Sequence, residues 1–91
     1  GKRNIDYSRF IAGGGIGLHA ECSYLNAQYA CAIKNATRGF SADAVGGIYC
    51  RGAISAYNQS GWYTANGSGM QCYDYYASGN TTNFNGSNIV R

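Results

Sequence analysis

The chain has 91 residues, enough for one domain, and its net charge of +3 comes from seven scattered cations set against four acids. No basic run exceeds Lys2-Arg3, which excludes a nucleic-acid stripe, and no apolar run approaches the ~18 residues needed to cross a bilayer. Leu, Ile, Val and Phe together number only 14, below the level at which a chain buries an ample aliphatic core unaided.

The elements, in chain order, begin with residues 1–12 as a loose N-terminal arm, Gly1-Lys2-Arg3 being a solvated tail. Gly13-Gly14-Gly15 lacks the spacing of a phosphate cradle and leads flexibly into a strand. From Ile16 to Tyr24, Ile16, Leu18, Ala20, Cys22 and Tyr24 alternate with small or polar residues, the period of a half-buried strand. Residues 27–34 fit a strand or a helical turn. A second strand is predicted over Ile48–Gln59, with Gly52 weakening or bulging its middle. Ser68 and Gln71 have capping-box spacing and Gly79 supplies a left-handed stop, so a helix is predicted between them. Its inner face would carry Cys72, Tyr75 and Tyr76. Phe84, Ile89 and Val90 close the chain as a last edge strand.

Four widely spaced cysteines, Cys22, Cys31, Cys50 and Cys72, read as two disulfides in a secreted chain. Joining helix to strand leaves Cys72 with Cys31 or Cys22, and Cys50 with the other. The same four lack Cys-x-x-Cys spacing and have one histidine for company, so no metal site, free nucleophilic thiol or cofactor is expected. Five Asn-x-Ser/Thr sequons, at Asn35, Asn58, Asn66, Asn80 and Asn85, double as turn residues.

Two constellations carry chemistry. His19 and Glu21 stand two apart on one strand face, the acid–base equipment of a small ribonuclease, with Arg9, Arg38 or Arg51 to hold phosphate. Trp62 and Tyr63, in a Gly/Ser/Asn-rich segment, could stack on a wall glycan, although a lone Trp is more often a packing anchor.

Three segments suggest a family: Cys50-Arg-Gly-Ala-Ile-Ser-Ala-Tyr-Asn-Gln-Ser60, Ser68-Gly-Met-Gln-Cys72 and Asn85-Gly-Ser-Asn-Ile-Val90. Over residues 48–90 the chain resembles the virally encoded smut-fungus killer toxins and their small secreted fungal relatives. The resemblance implies an α+β fold, a small antiparallel sheet with one or two helices on one face. It also implies disulfides Cys31–Cys72 and Cys22–Cys50 and secretion as a monomer. Its functional implication is a non-enzymatic toxin or host-directed effector. Such a protein would use Lys34, Arg38 and Arg51 against a target-cell surface component, a channel or a host protein, without membrane insertion or nucleic acid.

Overall fold

The computed structural model describes residues 2–91, so Gly1 of the expected tail lies outside the described residues. Thirteen short strands succeed one another: β1 Lys2–Asn4, β2 Arg9–Ile11, β3 Ile16–Glu21, β4 Tyr24–Asn26, β5 Cys31–Ile33, β6 Arg38–Asp43, β7 Gly47–Tyr49, β8 Ile54–Ala56, β9 Ser60–Thr64, β10 Gly69–Gln71, β11 Tyr76–Ser78, β12 Thr82–Asn85 and β13 Ile89–Val90. Every third strand joins the same sheet. The first sheet runs β1-β4-β7-β10-β13, the second β11-β8-β5-β2 and the third β12-β9-β6-β3. All pairings are parallel. The chain therefore winds as a three-sided β-solenoid of about four coils.

This corrects the α+β expectation: no helix occurs among the described residues, and no strand pairing is antiparallel. The predicted helix from Ser68 to Gly79 is instead β10, a corner and β11. Ser68 does cap, but it caps a corner: its hydroxyl accepts from the Ala65 amide at 2.9 Å and donates to the Ala42 carbonyl at 2.8 Å on the preceding coil. The stretch read as one strand over Ile48–Gln59 is β7 and β8, which lie in different sheets with a turn at Arg51-Gly52 between them. Likewise Asn83–Val90 divides between β12 and β13.

Corners recur because the same backbone conformation recurs. At the corner between the first and second sheets, Tyr7, Tyr29, Gly52 and Asp74 all have positive φ, from 52° to 68°. At the next corner Ala12, Lys34, Tyr57 and Gly79 do the same. L-residues enter this region at a cost, and here stacking offsets it. The Tyr7 and Tyr29 rings are parallel at 5.2 Å, and the Tyr29 ring lies over Gly52, 2.6 Å from where a Cβ would stand.

An asparagine ladder stitches the second corner. Asn58 Oδ1 accepts from the Asn35 amide at 2.8 Å, and its Nδ2 donates to the Ala32 carbonyl at 2.9 Å. Asn35 serves Gly13 and Phe10 in the same way, and Asn80 serves Asn58 and Ser55. Three of the five sequons are thus occupied structurally, Asn35 and Asn58 in buried positions.

The interior is narrow and filled unevenly. Phe40, Trp62 and Phe84 stack along the third sheet, at 5.9 Å and 5.0 Å between neighbouring centroids, and Leu18 precedes them in register. Small Ala30, Ala32 and Ala53 belong to the same buried cluster, with Leu25, Ile48 and Met70 from the first sheet. A coil of this width needs few large residues, because strand-to-strand hydrogen bonds supply much of the order. That is why the scarcity of aliphatics does not call for crosslinks.

None form. All four cysteines are free thiols, so the expected Cys31–Cys72 and Cys22–Cys50 bridges are absent. Cys22 is exposed at a corner and Cys31 half-buried on β5. Cys50 and Cys72 are both buried, each the first residue after β7 and β10, strands that pair in register. The argument for an oxidising compartment loses its premise with the bridges.

Candidate functional site

The first sheet presents its outward side chains in two rows. Register aligns Tyr24 with Gly47 and Gly69, and Asn26 with Tyr49 and Gln71. The row containing Gly47 and Gly69 is low. The Tyr24 ring, 62% exposed, leans across Gly47 with a ring carbon 2.5 Å from where a Cβ would stand, so any larger residue at 47 would displace it. Beside this floor a groove of about 610 Å³ crosses four coils, lined by Tyr24, Asn26, Gln28, Tyr49, Gln71 and Asn88, with Leu25, Ile48 and Met70 beneath. Among the described residues no Asp, Glu, Lys or Arg lines it.

Tyr49 is held from outside the groove. Its hydroxyl accepts from Arg51 Nε at 2.9 Å, and its ring meets Tyr73 edge-on at 6.2 Å. Arg51 in turn lies 3.4 Å from Asp74 and 5.4 Å over the Tyr73 ring. The Tyr49 hydroxyl, with a smaller contribution from Asp74, pushes the Arg51 guanidinium above its already high value. Arg51 is thereby committed to positioning Tyr49.

The third sheet carries the histidine. His19 and Glu21 do meet, with Nε2 3.8 Å from Oε1, because alternate residues of β3 share a face. His19 Nδ1 lies 3.1 Å from Ser41 Oγ in the neighbouring strand, and Arg38 Nη1 donates to the same oxygen at 3.3 Å. The Arg38 guanidinium also stacks on Tyr63, 3.6 Å from the ring centroid. Arg38 is thus the cation of this cluster, whereas Arg51 stands at the first corner and Lys34 at the second. Ser41 is fully buried, so its hydroxyl orders the cluster and is closed to a substrate. Nearby Asp43 accepts from Asn66 Nδ2 and from the Ala44 amide, both at 2.7 Å. These bonds, the Asn66 one foremost, hold its pKa below the ordinary 3.8. A carboxyl held ionised in this way is a poor general acid.

The remaining candidates separate. Trp62 is wholly buried between Phe40 and Phe84, which removes it from any glycan surface, while Tyr63 stays half-exposed under Arg38. Burial, reinforced by neighbouring Cys72, pushes the Cys50 thiol well above its usual value. Such a thiol is inert at neutral pH. Sequence reasoning named Tyr24 only as a strand residue and Gln71 only as a helix cap, and picked out none of Tyr24, Asn26, Tyr49 and Gln71 as a binding residue. The signal that would have found them is the spacing of 23 and then 22 residues that puts Asn26, Tyr49 and Gln71 on successive coils.

Comparison with protein-family models, with curated proteins and with solved structures finds no match. Among the described residues no group of three or more His, Cys, Asp or Glu is placed to hold a metal ion. Nor, among the described residues, is any helix long and apolar enough to cross a membrane.

Proposed function

We propose that the protein is a glycan-binding module, with the groove of the first sheet as its binding surface. The observation that carries this reading is a long, open groove walled by tyrosine and carboxamide side chains, with no formal charge among the described residues that line it. Tyrosine rings offer flat apolar faces to the C–H faces of sugar rings, and each carboxamide offers a donor and an acceptor to neighbouring hydroxyls. The remaining fittings are preformed. Gly47 and Gly69 keep the floor low, and Arg51 fixes the Tyr49 hydroxyl, so little side-chain order is lost on binding.

This reading keeps the glycan partner but transfers it from Trp62 and Tyr63 to Tyr24 and Tyr49. It also makes an extracellular or cell-surface site of action part of the proposal, since that is where polysaccharide is met. The toxin reading has no such footing, because the helices and antiparallel sheet that it implied are not the fold observed. A glycan array probed with the wild-type chain and with Tyr24→Ala and Tyr49→Ala tests the proposal. Binding by the wild type, reduced about tenfold or more in each variant, is expected. Absence of binding to every glycan, or binding indifferent to both substitutions, would overturn it.

A further inference from the structure

The geometry points to a particular ligand class: a neutral, extended, β-linked polysaccharide lying parallel to the solenoid axis, one sugar ring to each coil. The inference rests on the glycan-binding reading above and adds the ligand's charge, its linkage and its direction.

Direction and linkage follow from the register. Asn26, Tyr49 and Gln71 are equivalent positions on β4, β7 and β10, so the contacts recur at the spacing of adjacent strands, about 4.8 Å. That is close to the advance of one pyranose ring in a fully extended chain. A β-linked chain with equatorial bonds stays straight and keeps pace with such a ladder, successive rings presenting alternate edges, so that the same hydroxyls face every second coil, as at Asn26 and Gln71. An α-linked chain that coils away leaves the straight row after one or two contacts. The groove is also open along the sheet, running from Tyr24 at one end to Asn88 and Val90 at the other. It therefore accepts an internal stretch of polymer, and no wall closes it around a single terminal sugar.

Charge follows from what lines the groove and what does not. Arg51, the cation that touches Tyr49, already faces Asp74 at 3.4 Å and the Tyr49 hydroxyl at 2.9 Å. A uronate, sulfate or phosphate group would be desolvated against carboxamides with no free cation among the described lining residues, which disfavours it. Asn26 and Gln71, two coils apart, can each donate to and accept from the hydroxyls of a different sugar along the chain.

Calorimetric titration of the intact chain with β-1,4-linked glucose or mannose oligomers of one to six units tests this. α-1,4-linked glucose oligomers and β-1,4-linked mannuronate oligomers serve as the contrasting series. Affinity for the neutral β-linked series is expected to climb from the disaccharide to the tetrasaccharide and then level, with little dependence on salt. The other two series should bind about tenfold more weakly at equal length. Gln71→Ala should weaken the tetrasaccharide severalfold, whereas His19→Ala, on the third sheet, should leave it unchanged with the same thermal midpoint. Full affinity in a single sugar, or tighter and salt-dependent binding of the acidic oligomers, overturns this inference while leaving the glycan reading in place. Failure of every oligomer here, and of every glycan on the array, overturns both.

Discussion

Trp62 shows how much one side chain carries in a narrow core. It is fully buried, stacked on Phe40 and Phe84 and met edge-on by Tyr75 at 5.4 Å, and its indole N–H has no hydrogen-bond partner. Its value is therefore contact and not polarity. Trp62→Ala should cost about 3–5 kcal/mol, a large part of the stability of a small domain, and urea unfolding will show it as a lower midpoint. Trp62→Phe, which keeps the stack, should cost much less. Asn58 is the polar counterpart. Asn58→Ala removes the acceptor of the buried Asn35 amide and the donor to Ala32, leaving groups whose desolvation costs about 1–3 kcal/mol each, and should lower the thermal midpoint accordingly. At the surface, Asp43 links stability to acidity. Its folded pKa lies below the ordinary 3.8, so its contribution is present above that value and disappears as pH falls through the lower, folded one. Asp43→Asn should therefore flatten the loss of thermal midpoint on acidification below about pH 4 and alter little at neutrality.

At the scale of elements, β3 and the turn residues were legible and the helix was not. Ile16, Leu18 and Ala20 alternate strictly with Gly17, His19 and Glu21, a pattern that only a strand satisfies, but the strand predicted to run on to Tyr24 stops at Glu21, because the chain turns at Cys22 and Tyr24 opens β4 in another sheet. The stretch after Ser68 satisfies two readings. A hydroxyl that caps a corner has the same local spacing as one that caps a helix, and Cys72, Tyr75 and Tyr76 mimic helical periodicity because a corner falls between β10 and β11. What decides between them is the neighbouring coil, to which Ser68 donates at 2.8 Å, and no local window contains that partner. Strand positions beside the asparagine ladder also impose limits that composition hides. A Cβ on Gly39 would stand 2.8 Å from both the Asn58 Nδ2 and the Gly61 carbonyl oxygen. Gly39→Ala should thus destabilise the fold by pushing on the asparagine ladder, by roughly 1–3 kcal/mol, with a circular-dichroism melt as the measure.

At the scale of the whole molecule, the missed signal was repetition. Leu18, Phe40, Trp62 and Phe84 fall in one register across four coils, as do Asn35, Asn58 and Asn80, but the residues differ enough that only a comparison of the chain with itself exposes the period. The groove was illegible for the same reason, since Asn26, Tyr49 and Gln71 become neighbours only once the coils are stacked. The cysteines give a direct check on the architecture. Alkylation of the native protein should label Cys22 readily, Cys31 more slowly, and Cys50 and Cys72 only after unfolding, with all four labelled in denaturant without any reductant. Mass spectrometry reads the count, and two thiols that remain unlabelled without reductant would restore a disulfide.

The register between β7 and β10 has a further consequence for the size of the molecule. Gly47 pairs with Gly69, Ile48 with Met70 and Tyr49 with Gln71, so the segment 47–68 begins and ends at equivalent points of successive coils. A duplicate of it inserted after Ser68 would meet the same neighbours above and below and lengthen the body by one strand spacing, about 4.8 Å, without a new fold. The binding surface would lengthen in step. The oligosaccharide at which affinity levels should then grow by one sugar, making the length of ligand recognised a quantity set by the number of coils.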